Sequence, residues 1–167
     1  AGMNDLKGYE DSEFSVRDCV EDALRRYPFQ SEKEKSVVSV QIVDNFEIKG
    51  PRLLFTHVIL NLLKNSFACL QLGKQPFVLI RAEYSDGRGK LSVIDNGSGV
   101  ERKNLGRIFS SFFTTSKAGE GAGVGLNFCK KVLEENGGEL TVVSKENVRT
   151  AFTLNLPATL SPRTSSP

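Results

Sequence analysis

The sequence predicts a two-layer α/β sandwich, with a mixed sheet covered on one face by three main helices. Three observations carry this. Apolar residues alternate, as in half-buried strands, through 38–42, 46–48, 77–83, 90–95, 140–144 and 150–156. They recur at helical spacing through 16–27, 51–72 and 126–133. The two patterns interleave along 167 residues, enough for one domain with a proper core.

Residues 1–13 are polar and read as a linker, 14–158 as the folded domain and 159–167 as a linker stub. Ser15 and Asp18 mark a helix start, because side chains three apart can satisfy free backbone donors. Val16, Val20, Ala23, Leu24 and Tyr27 continue that helix, and Pro28 stops it. Charged 30–35 reads as a loop. Val38, Val40 and Ile42, then Phe46 and Ile48, alternate across Asp44-Asn45, as two short strands and a turn would. Pro51 suits the first position of the next helix, which runs to about residue 72 with Gly73 past its end. Strands 77–83 and 90–95 follow, joined by Ser85-Asp86-Gly87-Arg88-Gly89. Leu105, Ile108, Phe109 and Phe112 mark a short amphipathic helix. Leu126, Cys129, Val132 and Leu133 mark another, closed by Asn136-Gly137-Gly138. Segments 140–144 and 150–156 complete the strands, and Pro157 ends the fold.

Composition narrows the function classes. A net charge of +2 is too small to argue for nucleic acid or an acidic membrane surface. No apolar run approaches the roughly 20 residues of a membrane span, so no direct membrane insertion is expected. Cys19, Cys69 and Cys129 follow no metal spacing, and an odd, scattered set fits reduced thiols in a cytoplasmic setting.

Three motifs bear chemistry. Asp95 ends an apolar run and precedes Gly97 and Gly99. A carboxylate there can accept a hydrogen bond from the exocyclic amine of adenine and would repel the carbonyl of guanine, so it selects ATP over GTP. The glycines would let the backbone pass close to the purine. The alternative is plain Asp-x-Gly turn chemistry. Asn61 and Asn65 lie four apart, with His57 one turn earlier, on a mostly apolar helix. Asparagine is disfavoured inside helices. Its carbonyl is a suitable hard ligand for magnesium, and a solvated polar stripe is the alternative. Last, Gly119, Gly121, Gly123 and Gly125 precede an amphipathic helix, whose unblocked amides could bind phosphate; a flexible surface loop is the alternative.

The joint order of these motifs resembles the catalytic, ATP-binding domain of bacterial sensor histidine kinases, in the superfamily shared with gyrase, mismatch-repair ATPases and ATP-dependent chaperones. Asn61-Leu62-Leu63-Lys64-Asn65 looks like the asparagine box, and Asp95-Asn96-Gly97-Ser98-Gly99 like the first glycine box. Phe109 with Phe112-Phe113-Thr114-Thr115 looks like the phenylalanine box. Gly121-Ala122-Gly123-Val124-Gly125-Leu126 looks like the second glycine box, and Thr150-Ala151-Phe152 like the closing strand. The resemblance implies a Bergerat-type ATP-binding fold. It implies that Asp95 contacts adenine, Asn65 holds Mg2+, Asn61 lies near the phosphates and Thr150 supports the adenine end. Lys117, in the lid after Thr115, is the candidate for the terminal phosphate. Similarity to hybrid kinases of quorum sensing extends to Tyr27-Pro28-Phe29 and Phe128-Cys129-Lys130-Lys131.

Asn61 separates kinase from hydrolase. ATPases of the superfamily place a glutamate base four residues before the magnesium asparagine, and an amide cannot take a proton at neutral pH. Transfer to a good nucleophile needs mainly position and charge neutralisation. The expected acceptor is a histidine on a dimerisation and phosphoacceptor domain, with a response regulator or receiver domain downstream. His57, the only histidine, is expected to be a packing or hydrogen-bonding residue. An ATP-hydrolysing switch of the same superfamily and a non-catalytic nucleotide-binding interaction module are the rival readings.

Overall fold

A computed structural model of the protein describes residues 9–71, 73–109 and 124–162, with only the backbone of Val124. Among these residues eight strands and four α-helices follow one another as β1 (Ser12–Ser15), α1 (Val16–Arg26), α2 (Glu32–Ser36), β2 (Val38–Ile42), β3 (Phe46–Gly50), α3 (Arg52–Ala68), β4 (Val78–Ser85), β5 (Arg88–Asp95), α4 (Val124–Glu135), β6 (Glu139–Lys145), β7 (Arg149–Pro157) and β8 (Thr159–Leu160). A five-stranded sheet runs β2-β4-β5-β7-β6, and a smaller one runs β1-β3-β8. Among the described strands only β2 and β4 pair in parallel; the other neighbours are antiparallel, so the large sheet is mixed.

Register explains which face is buried. Ile80, Val93 and Phe152 stand opposite one another across β4, β5 and β7, as do Ala82, Leu91 and Leu154. All six are buried, and successive side chains of a strand point to opposite faces, so these rows share the inner face. The three long helices pack there, with α3 between α1 and α4. Leu54, Val58, Ile59, Leu62 and Leu63 of α3 meet Val20 and Ala23 of α1 and Cys129, Val132 and Leu133 of α4 in one core. Full burial of such a side chain contributes about 1.5–3 kcal/mol, which is why α3 holds despite lacking a side-chain cap at Pro51.

Local chemistry sets the ends. Ser15 Oγ accepts the Asp18 amide at 3.1 Å and starts α1. Asp86 and Gly87 both take positive φ, 49° and 78°, and close the β4–β5 hairpin with the two-residue turn that matches strand twist. At the end of α4 the amides of Gly138 and Gly137 donate to the carbonyls of Leu133 and Glu134, with Gly137 at φ 77°, a Schellman stop.

Several expectations need correcting. Residues 30–35 are no plain loop: Glu32–Ser36 form a helix capped by Ser31, whose hydroxyl accepts the Glu34 amide at 3.0 Å. With no buried residue, α2 gives no apolar period to read. The strands β2 and β3 exist but form no hairpin; they belong to different sheets. The chain between them is held instead by β4, where Val43 donates to Ala82 O and Asp44 Oδ2 accepts the Tyr84 amide. Pro51 caps α3 rather than opening it, and α3 stops at Ala68, with Cys69 its C-cap. Residues 105–109 form turns after a 3-10 turn, Arg102–Asn104, not an amphipathic helix. Strand pairing reaches beyond 14–158 at both ends: Ser12 and Glu13 pair with β3, as do Thr159 and Leu160. No described helix is long and apolar enough to cross a membrane.

Candidate nucleotide site

Asp95 is the last residue of β5 and is fully buried. Its Oδ1 accepts the Gly97 amide at 2.9 Å, the Asx-type bond that turns the chain sharply after the strand. Its Oδ2 has no hydrogen-bond partner, and the Ser66 hydroxyl of α3, also fully buried, has none either. Burial raises the Asp95 pKa above its ordinary value of 3.8; the Gly97 amide counters this, and so, more weakly, does the nearby Ser66 hydroxyl, which stops short of hydrogen-bonding geometry. A carboxylate left half-satisfied in the core costs stability unless a donor arrives. The free Oδ2 therefore suits a group that brings an N–H, as the adenine amine would.

The surrounding frame fixes that carboxylate. Thr150 lies opposite Asp95 on β7 and is buried. Its hydroxyl meets Ser144 Oγ at 3.0 Å, and Ser144 Oγ also receives the Val100 amide at 2.8 Å and lies 3.1 Å from Arg149 O. Asn96 accepts the Phe77 amide at 3.0 Å and donates to Gln75 O at 2.8 Å, pinning the loop to the start of β4. Gly97 is needed for a reason other than approach to a purine. A Cβ there would stand 2.3 Å from the Cys69 carbonyl, which also accepts the Ser98 amide, so the loop is pressed against the end of α3. Gly99, at φ 72°, is pressed in the same way against Lys145 of β6.

Asn61 and Asn65 are both half-buried on α3. Asn61 donates back to His57 O at 3.0 Å, and its Oδ1 would lie 3.0 Å from a Cβ on Gly125, in the first turn of α4. The asparagine helix and the second glycine box thus touch where Gly125 leaves room. Leu126 packs against the core beyond it. Phe109 lies edge-on to Phe152 with ring centroids 6.4 Å apart, and Lys130 Nζ sits 5.9 Å from its ring, so it anchors its segment beneath α4. His57 is not packed: its side chain is exposed, and it is the backbone carbonyl that bonds. Phe112, Phe113, Thr114, Thr115, Lys117, Gly119, Gly121, Ala122 and Gly123 lie outside the described residues, as does the side chain of Val124.

Residues 50–160 match the family described as histidine kinase-, DNA gyrase B-, and HSP90-like ATPase. The chain belongs to this family. It is 33% identical over 144 residues, 86% of its length, to 20% of the CAI-1 autoinducer sensor kinase/phosphatase CqsS of Vibrio cholerae serotype O1. It is 34% identical over 114 residues, 68% of its length, to 24% of the sensor histidine kinase ZraS of Escherichia coli K12. The chain thus spans a quarter or less of these relatives. In fold it is similar to the mycobacterial sensor histidine kinase MprB, with a TM-score of 0.75 at 22% identity over 91% of this chain and 100% of that one. The catalytic domain of histidine kinase ThkA gives 0.74 at 24%, over 89% and 95%. Its mixed sheet with helices on one face is the Bergerat fold expected of an ATP-binding domain of this family.

Two supporting residues escaped the sequence reading. Ser66 follows Asn65, yet a single serine in a helix carries no periodic signal. Ser144 sits on an edge strand among alternating residues, and its three partners come from other segments.

Proposed function

We propose that the chain binds Mg-ATP with adenine at Asp95 and donates the terminal phosphoryl group to a histidine of a separate dimerisation domain, in two-component signalling. The observation that carries the nucleotide is the buried, unpartnered Asp95 Oδ2 beside the unpartnered Ser66 hydroxyl. Thr150 supports that end through Ser144. Asn61 and the start of α4 at Gly125 take the phosphate end, where helix amides and their dipole favour anions. Lys117 is the candidate for the terminal phosphate.

Among the described residues no three His, Cys, Asp or Glu side chains gather to hold a metal. Magnesium keeps waters, binds nucleotide oxygens and needs few protein ligands, for which Asn65 is the candidate. In the transfer an imidazole nitrogen of the acceptor bonds to the terminal phosphorus as the bond to the ADP oxygen breaks. Asn61 offers no base for water, which favours this over hydrolysis. A receiver domain would take the phosphoryl group next.

Calorimetric titration with ATP and GTP, with and without magnesium, tests the site. ATP is expected to bind at least about tenfold more tightly, the discrimination of about 1.4 kcal/mol that one hydrogen bond supplies; equal affinities would overturn the assignment. Supplied with dimerisation helices of a sensor kinase, the chain should place acid-labile label on their histidine and none on His57.

A further inference from the structure

The solvent side of α3 forms the floor of an open trough of about 880 Å³, whose lining leaves out Asp95, Ser66 and Thr150 and shares Asn61 with the site described above. From His57 to Ala68 it follows about 16 Å of helix, three turns. One wall is the segment around Tyr27 and α2; the other is the chain around Lys74 and Pro76. Leu60 and Phe67 lie along the floor. Phe67 is held in an aromatic cluster, 5.4 Å from the Tyr27 ring and 5.9 Å from the Phe29 ring, so the apolar strip is stiff.

Charge around this strip is one-sided. Arg26, Lys33, Lys64 and Lys74 line the trough, against Glu34 as its one carboxylate. Arg26 is engaged with Asp22, and Lys74 donates to Asn147 O. Lys33 and Lys64 have no ion-pair partner among the described residues. The wall that carries Lys33 is α2, a capped helix without one buried residue. A five-residue helix is not stable alone, and a surface packed on it would supply the missing contact.

We propose that this trough docks an acidic amphipathic helix of a partner protein. Apolar side chains at three- and four-residue spacing would fill the strip over Leu60 and Phe67, and flanking carboxylates would meet Lys33 and Lys64. The open, three-turn length and the spread of cations along it match a helix and not a compact anion. The inference does not rest on the nucleotide assignment, and its test uses no nucleotide.

Fluorescence anisotropy of the whole chain with three labelled, side-chain-stapled helical peptides tests it. One carries a leucine stripe flanked by glutamates, one the same stripe flanked by lysines, and one the glutamate composition with the stripe scrambled. The glutamate-flanked stripe is expected to bind at least about tenfold more tightly than either other peptide, and less tightly as salt rises. Lys33→Glu and Lys64→Glu, each checked for an unchanged melting temperature, should each weaken it about fivefold or more. Equal binding of the first two peptides, binding indifferent to both substitutions, no binding at millimolar peptide, or full displacement by pyrophosphate would each overturn the proposal.

Discussion

The two sides of α3 are built by opposite means. Toward Asp95, everything is buried: the carboxylate, Ser66 and Thr150 have almost no exposure, and their places are set by strand register and the end of a core helix. Toward the trough, the side chains that matter are exposed lysines, and the wall is a helix that touches no core. A carboxylate proposed to tell one purine from another needs a place that cannot drift, and burial provides that at a cost in stability. A surface recognised through apolar area and opposite charge tolerates, and can exploit, a yielding wall. Substitutions on the two sides should therefore fail differently: by folding and selectivity on one, by affinity and salt dependence on the other.

The largest effect is expected at Gly97. An alanine Cβ would meet the backbone carbonyl of Cys69 at 2.3 Å, and neither the β5 loop nor the end of α3 can move without breaking the Ser98–Cys69 bond. Gly97→Ala should lower stability by about 3 kcal/mol, the upper range for overpacking. Gly106, where an added Cβ meets nothing, is the control. Gly106→Ala should stay within about 0.5 kcal/mol by urea denaturation. Similar losses at both positions would mean that the loop is not pressed on the helix as described.

Next comes Asp95→Asn, which separates folding from binding. The Asn carbonyl can still accept the Gly97 amide, while its NH2 would face the proposed place of the adenine amine. ATP affinity should fall by about 1.5–3 kcal/mol. Unliganded stability should move the other way. The folded pKa is raised above 3.8, so ionisation weighs against the fold as pH climbs from there through the raised value. The stability of Asp95→Asn relative to the natural protein should grow across that window and then level off. A flat difference in urea melts between pH 3.5 and 8 would show that Asp95 is not desolvated.

A smaller, conditional effect is expected along α3 itself. Asn65→Ala should weaken ATP binding much more with magnesium than in EDTA, by about tenfold against about twofold. Asn61→Ala should lose affinity in both conditions alike, because Asn61 stands by Gly125, the proposed phosphate end. Calorimetry in the two buffers decides it, and an equal loss for Asn65→Ala in EDTA would make that residue structural.

The same contrast governs what could be read in advance. Buried elements announce themselves by period, and α1, α3, α4 and the strands of the large sheet were legible for that reason. Asp95, Asn61 and Gly125 were legible as motif residues. Where structure depends on distant pairing, the chain gives no local sign. β8 is two residues long and exists only against Phe46 and Glu47. The Asp44-Asn45 turn invited a hairpin, but β4 claims the segment and sends β2 and β3 to separate sheets. Ser66 could not be singled out, because what matters is the carboxylate it lies beside, on another element.

The smallest effect isolates the yielding wall. Ser15 and Ser31 cap their helices alike, accepting the amide three residues on at 3.1 and 3.0 Å. Removing either hydroxyl removes the same bond, for which caps typically contribute about 1 kcal/mol. The helices differ in what they are fastened to. α1 buries Val16, Cys19, Val20 and Ala23, so it cannot melt without opening the core, and a lost cap must register in global stability. α2 buries nothing and can open while the rest of the chain stays folded. Ser15→Ala should therefore shift the urea transition by about 1 kcal/mol. Ser31→Ala should leave it within about 0.3 kcal/mol and instead speed amide exchange at Glu34 and Lys35 by about fivefold. A global loss for Ser31→Ala equal to that for Ser15→Ala would show that α2 is coupled to the core, and the two sides of α3 would no longer differ in kind.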